Sequence, residues 1–231
     1  MSRVFGEMRQ IAFVVRDLEK ALDYWTRTLG VGPFFTMRDV MPDNYRYRGR
    51  PSPPPRISLA LGFSGEFQVE IIQQHDDKPS AYRDYLAAGH EGFQHVSSWM
   101  TRAEYDRAVP ELVRSGLSVA HEGAIPGSGI RFIYFATDSV PGGPLYEISE
   151  AKEPSIYPTM MKIRDLARVW DGHDPIRDFA TLMRGRDAYG HFRPEPVPAT
   201  DLDPAAIAAH AEIMRVVGET LLQGASPQNL R

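Results

Sequence analysis

Cysteine is absent from all 231 residues, which removes disulfides, thiolate metal sites and a cysteine nucleophile together. Any bound metal must sit on nitrogen and oxygen. No apolar run approaches the roughly 18 residues that a membrane span needs. The opening stretch MSRVFGEMRQIAFVV sets charges close to a short apolar run, with no small-residue cleavage pattern after it, so it reads as a strand of the mature chain and not as a signal peptide. A surplus of one charge is missing as well. The 26 Lys and Arg set against 30 Asp and Glu give a formal net charge of -4 and a pI near 6.0. Nothing in that balance suits nucleic acid or an anionic membrane. The expectation is a cytoplasmic protein whose partner is a small-molecule substrate.

What is present is apolar material, 42% of the chain, enough for one large domain or a standard domain with an extension. Gln10–Val15 is short, apolar and β-branched, and predicts a strand. Asp17 then offers an N-cap to LEKALDYWTRTLG, in which Leu18, Ala21, Leu22, Trp25 and Leu29 recur at helical spacing before Gly30. Strands are predicted over Pro33–Val40, Arg56–Phe63 and Phe67–Gln74, the last two joined by the tight turn Ser64-Gly65-Glu66. The proline-rich segment MPDNYRYRGRPSPPP between the first two predicts a loop. DDKPSAYRDYLAAGHEG includes a short helix. The same order then recurs: a strand over Gly92–Met100, a helix over Arg102–Ser115 ended by Gly116, and strands near Leu117–Glu122, Arg131–Thr137 and Pro144–Ser149. These are two βαβββ modules repeating at about 80 residues.

After Glu153 the alternation disappears. SIYPTMMKIRDLARVWDG, DPIRDFATLMRG and DLDPAAIAAHAEIMRVVGETLLQG predict helices separated by Gly and Pro breaks. The organisation is thus residues 1–153 as the two-module domain and 154–231 as a helical extension, rich in Met160, Met161, Met183 and Met214. Methionines of this kind fill core gaps. The extension packs on the sheet domain or a second subunit, or else forms a lid over the active site.

Strand alternation places polar side chains on one face. Gln10 shares its face with Ala12 and Val14. Glu70 shares one with Gln68 and Ile72, His95 with Phe93, Ser97 and Trp99, and Glu147 with Leu145 and Ser149. Four oxygen or nitrogen donors therefore sit at mid-strand, where charge is costly unless compensated. Arg9, Arg56 and Arg131 are the alternative partners for the two carboxylates. His121, His173, His191 and His210 are not read as ligands.

The stretches RQIAFVVRDLEKALDYWTRTLGVGPFF, FQVEIIQQ, EGFQHVSSW and RFIYFATDSVPGGPLYEISE resemble the vicinal-oxygen-chelate superfamily, which includes glyoxalase I, methylmalonyl-CoA epimerase, extradiol dioxygenases and bleomycin-resistance proteins. The resemblance spans about residues 7 to 150. It implies an α+β fold in which paired βαβββ modules form a curved mixed sheet closed into a cup. It also implies a divalent ion held by Gln10, Glu70, His95 and Glu147. Gln10 stands where many members have His, and the set resembles the Gln/Glu/His/Glu arrangement of zinc-using glyoxalases.

Such mostly hard donors suit Zn, Ni, Mn, Co, Fe(II) or Mg. The implied activity is that of a metal-dependent isomerase, epimerase or lyase with Glu147 as the proton-moving base and Glu70 opposite. The alternatives are a drug-sequestering binding protein of the bleomycin-resistance type and a ring-cleaving dioxygenase. Only one His at a ligand position disfavours the second, because those enzymes use two. Relatives often dimerise, so a homodimer is expected. Phe34, Phe35, Tyr45, Tyr47, Phe93, Trp99, Phe132 and Tyr134 are available to line a pocket. Arg46, Arg48 and Arg50 could bind a carboxylate or phosphate at its mouth.

Overall fold

A computed structural model of the chain describes residues 2–137 and 143–183. The helix expected over 201–224, together with His191, His210 and Met214, lies outside the described residues. The first module consists of β1 (Met8–Val14), α1 (Leu18–Asp23, continued by a wider turn over Tyr24–Thr28), β2 (Phe34–Val40), β3 (Asp43–Tyr47), β4 (Arg50–Pro51), β5 (Ile57–Ser64) and β6 (Phe67–Gln74). The short helix α2 (Ala81–Ala87) leads to β7 (Gly92–Trp99), α3 (Arg102–Arg114), β8 (Val119–Ala124), β9 (Arg131–Phe135) and β10 (Leu145–Ser149). α4 (Tyr157–Arg168), β11 (Ile176–Asp178) and α5 (Ala180–Met183) follow.

One mixed sheet runs in the order β11-β2-β5-β6-β1-β7-β10-β9-β8-β3-β4. Within each module the first strand lies parallel to the last, β1 beside β6 and β7 beside β10. The modules meet where β1 pairs antiparallel with β7. The register obeys a local two-fold: Gln10 stands opposite Ser97 and Ala12 opposite His95, while Glu70 adjoins Ala12 and Glu147 adjoins Ser97.

The segment predicted as a loop after β2 contains a strand instead. Tyr45 is buried, and β3 pairs with β8 through Asp43–Ala124, Arg46–Glu122 and Tyr47–His121. β2 is near one end of the sheet and β8 near the other, yet Val40 and Asp43 are three residues apart, a reach of at most about 11 Å. The sheet must therefore curl until its two sides nearly meet. The prolines that suggested a loop lie mostly after Tyr47, beyond the paired residues.

Helices cover the convex face. Asp17 caps α1 by accepting from the Lys20 backbone N–H, and Leu18 and Leu22 pack with Phe34, Val69 and Ile71. Thr101 and Glu104 form a reciprocal capping box on α3, whose Tyr105 and Leu112 pack with Ile133, Phe135 and Ile148. α4 enters the concave side, where Met160 and Ile163 pack with Phe35, Leu61, Phe63 and Trp99. The helix predicted over 174–185 is in part a strand: β11 lies parallel to β2, and the Phe34 N–H donates to Pro175 C=O at 2.8 Å. Without β11 the backbone of β2 would be an unpaired edge, and that edge recruits the three-residue segment Ile176–Asp178 regardless of its helical pattern.

Candidate metal centre

Alternation delivers the inward side chains as expected on three of the four strands. Gln10, Ala12 and Val14 on β1, and Gln68, Glu70 and Ile72 on β6, are all buried. On β10, Glu147 faces in while Ile148 joins the core under α3. β7 departs from simple alternation. Its register slips between His95, opposite Ala12, and Phe93, opposite Phe13, so Gln94 is an extra residue in a bulge. Phe93 consequently turns to the convex face, 44% exposed and tilted against Phe13, and Gln94 turns inward and is buried.

Glu70, His95 and Glu147 each offer a ligand atom, and these atoms lie within 4.8 Å of one another. His95 Nε2 is 3.5 Å from Glu70 Oε2 and 3.7 Å from Glu147 Oε2. Burial pushes the Glu70 carboxyl up to about 8. Burial also raises Glu147, to about 7, with His95 and the Ser97 hydroxyl pulling down and the charge of Glu70 pushing up. The His95 imidazole is lowered to about 4, chiefly by burial, and is neutral at ordinary pH. Among the described residues no arginine pairs with the two carboxylates. Arg9 pairs with Glu7, Arg56 with Asp39, and Arg131 with Glu150 and Asp106. Two buried carboxylates beside a neutral imidazole are unfavourable unless a cation or a proton joins them.

Gln10 lines the same cavity as Glu70 and Glu147. Its amide nitrogen donates to Gln68 Oε1 at 2.7 Å, and its own Oε1 is buried without a hydrogen-bond partner among the described residues. Gln68 in turn points its amide nitrogen at the Met160 sulfur of α4, 3.2 Å away. An orphaned amide oxygen beside two uncompensated carboxylates is a donor set that fits a hard divalent cation.

Gln94 and Tyr134 complete the surroundings. Gln94 Oε1 accepts from His95 Nδ1 at 2.7 Å while its amide nitrogen donates to Ala81 C=O at 3.1 Å. Nδ1 therefore carries the proton, and Nε2 presents its lone pair toward Glu70 and Glu147. The Tyr134 hydroxyl lies 3.2 Å from that Nε2 and 3.1 Å from the Tyr82 hydroxyl. Sequence reasoning assigned no role to Gln94 or to Gln68. Gln68 was legible, since it shares a face with Glu70. Gln94 was not, because its inward turn depends on the bulge.

The cavity above these groups measures about 140 Å³. Of the eight aromatic residues considered for it, Trp99, Phe132 and Tyr134 line it. Phe34 packs under α1, Phe35 against α4, and Phe93 on the convex side. Tyr45 is buried against His121, whose Nδ1 is 3.1 Å from the Tyr45 hydroxyl, and Tyr47 donates to Asp84. Arg46 and Arg48 are held by Glu122 and Asp84 and do not line the cavity. His173 is exposed in a loop.

The family model of the Glyoxalase/Bleomycin resistance protein/Dioxygenase superfamily matches residues 9–135, more than half of the chain. The chain belongs to that superfamily. The matched span includes Gln10, Glu70 and His95 and stops before Glu147. Solved structures similar to this superfamily member include a hypothetical protein, BH1468, from Bacillus halodurans C-125, at 17% identity over 64% of this chain and 93% of that one, with a TM-score of 0.45. Methylmalonyl-CoA epimerase from Mycobacterium tuberculosis matches at 18% identity over 67% and 91%, with a TM-score of 0.43. A Streptomyces coelicolor methylmalonyl-CoA epimerase variant in complex with 2-nitronate-propionyl-CoA matches at 17% over 63% and 96%, with a TM-score of 0.42. No curated protein matches the chain.

Proposed function

We propose that this superfamily member is a metal-dependent enzyme of the isomerase, epimerase or lyase kind, with Gln10, Glu70, His95 and Glu147 as ligands of a divalent ion. The observation that carries this reading is the convergence of two buried, uncompensated carboxylates on a neutral imidazole, in a cavity that also receives the unpartnered amide oxygen of Gln10. A bound ion supplies Lewis-acid polarisation of a substrate oxygen. The donors suit Zn, Ni, Mn, Co or Fe(II).

The protein's own groups then divide the work. Glu147, reached from the cavity, takes the proton from the carbon next to that oxygen and gives the same proton back at the end of the shift, with Glu70 lining the same cavity as the second carboxylate. His95 holds its neutral form through Gln94. The Tyr134 hydroxyl, once His95 Nε2 is engaged elsewhere, is free to donate to a substrate oxygen. α4 closes the end of the cup at Met160 and excludes water there.

Elemental analysis after mild purification tests the ligand set: the wild type retains about one ion, and Glu147→Gln and His95→Ala lose it. Stoichiometric retention in both variants rejects the reading. Exchange of a carbon-bound hydrogen for deuterium, lost in Glu147→Gln, tests the proton transfer.

A further inference from the structure

Hydrogen bonds link the main polar groups of the cavity to one another, Gln10 to Gln68 and Tyr82 through Tyr134 to His95. Gln10, Gln68, Glu70, Tyr82, Tyr134 and Glu147 surround the candidate metal position. The rest of the lining is mostly hydrocarbon: Met37, Val40, Ile57 and Leu59 from β2 and β5, and Ile125 and Phe132 from the second module, with Ser149. Arg131 is the one lining residue among those described that carries positive charge, and it is not available to a ligand. Alternation on β9 sends Phe132 and Tyr134 inward and Arg131 outward with Ile133 and Phe135. Outside, the guanidinium pairs with Glu150 and Asp106 and lies 4.4 Å from the centre of the Tyr105 ring.

Removing an anion from water into such walls costs free energy, and no cationic side chain among the described lining residues is free to offset it. Size adds a second limit. An apolar cavity of about 150 Å³ accommodates a ligand near the size of benzene, and this one measures about 140 Å³.

We infer that the substrate is a compact, uncharged, largely apolar molecule about one ring in size, carrying its metal-binding oxygens at one end. A ligand whose anionic groups must lie inside this cavity does not suit these walls. The position of the oxygens rests on the metal reading above. The character of the walls does not.

The test has two arms, so that each reading can fail alone. In the first, benzohydroxamate and its para-carboxylate are titrated calorimetrically into zinc-loaded full-length protein. The probe without the carboxylate binds at least about tenfold tighter, a difference of about 1.4 kcal/mol; equal or reversed affinities overturn the inference. In the second, metal-stripped protein is melted with propylbenzene or with 3-phenylpropionate. Propylbenzene raises the melting temperature and 3-phenylpropionate does not; the opposite order, or no shift with either, overturns the inference even if the protein proves to bind no metal. Failure to take up zinc, with the propylbenzene shift intact, rejects the metal reading and leaves the wall chemistry standing. Val40→Lys adds a cation at a half-buried wall position and reverses the preference between the hydroxamates. Ile125→Lys on the facing wall does the same and serves if the first variant does not fold.

Discussion

The amide nitrogen of Gln10 donates to Gln68 Oε1 at 2.7 Å, and this bond leaves the Gln10 oxygen facing the cavity without a partner. An amide can turn over at little cost when nothing holds its nitrogen. Gln68 is itself held by the Met160 sulfur, so the orientation of a candidate ligand depends on a helix far along the chain.

Gln68→Leu removes the acceptor while keeping the volume, and metal affinity falls by about 10–100-fold. Gln10→Ala falls similarly, and the double variant is no worse than either single one, because both remove the same oriented oxygen. Competition against a chelator of known affinity measures all three. Additive losses contradict the coupling.

Glu70→Gln stabilises the metal-stripped protein at pH 8 by about 1–3 kcal/mol, since it replaces a buried charge that has no cationic side chain beside it among the described residues. The same change abolishes metal binding. Urea unfolding of stripped wild type and variant checks the sign, and a less stable variant refutes the account of Glu70 as an uncompensated carboxylate.

The pH dependence follows from the two raised carboxyls. Both are pushed above their unfolded values by burial, to about 8 for Glu70 and about 7 for Glu147. Their protonated forms therefore favour the native state at low pH, and that contribution is lost as pH rises through the folded values. His95 and His121 are lowered, to about 4 and about 3, so their effect is confined to acidification below about pH 6.5. Of these four groups, only the two carboxyls contribute between pH 6.5 and 8. The melting temperature of metal-stripped protein falls across that window, a saturating divalent ion removes the fall, and ion binding at pH 6.5 releases protons, measured by calorimetry in buffers of different ionisation enthalpy.

Met160→Ala opens a hole where α4 meets Phe35, Leu61 and Trp99. The expected cost is about 2–5 kcal/mol, read by urea unfolding. The variant also frees the Gln68 amide, so metal affinity drops with it, whereas Ile163→Ala, in the same core cluster, costs stability and leaves the affinity unchanged.

Much of the site is legible in the amino-acid order. A period of two fixes which side of a strand a residue faces, and that places Glu70 with Gln68, Gln10 with Ala12, and Glu147 opposite the core residue Ile148. The recurrence of strand, helix and three strands marks the modules, since each repeat unit buries a matching hydrophobic face. Caps at Asp17 and Thr101 act within a few residues and are local by nature.

What is illegible there depends on neighbours distant in sequence. The bulge at Gln94 arises only when β7 is laid against β1, and it alone turns Phe93 outward and Gln94 onto His95. β3 is a strand because the curled sheet brings β8 within reach of Val40, and β11 because β2 would otherwise be an open edge. No local pattern records an unpaired edge or the curl of a sheet. The amino-acid sequence determined which donors face the cup, through alternation; the tertiary structure alone decided that Glu70, His95 and Glu147 converge within 4.8 Å while Arg9, Arg56 and Arg131 pair elsewhere, because the cross-module register and the destinations of these side chains exist only once the two modules pair.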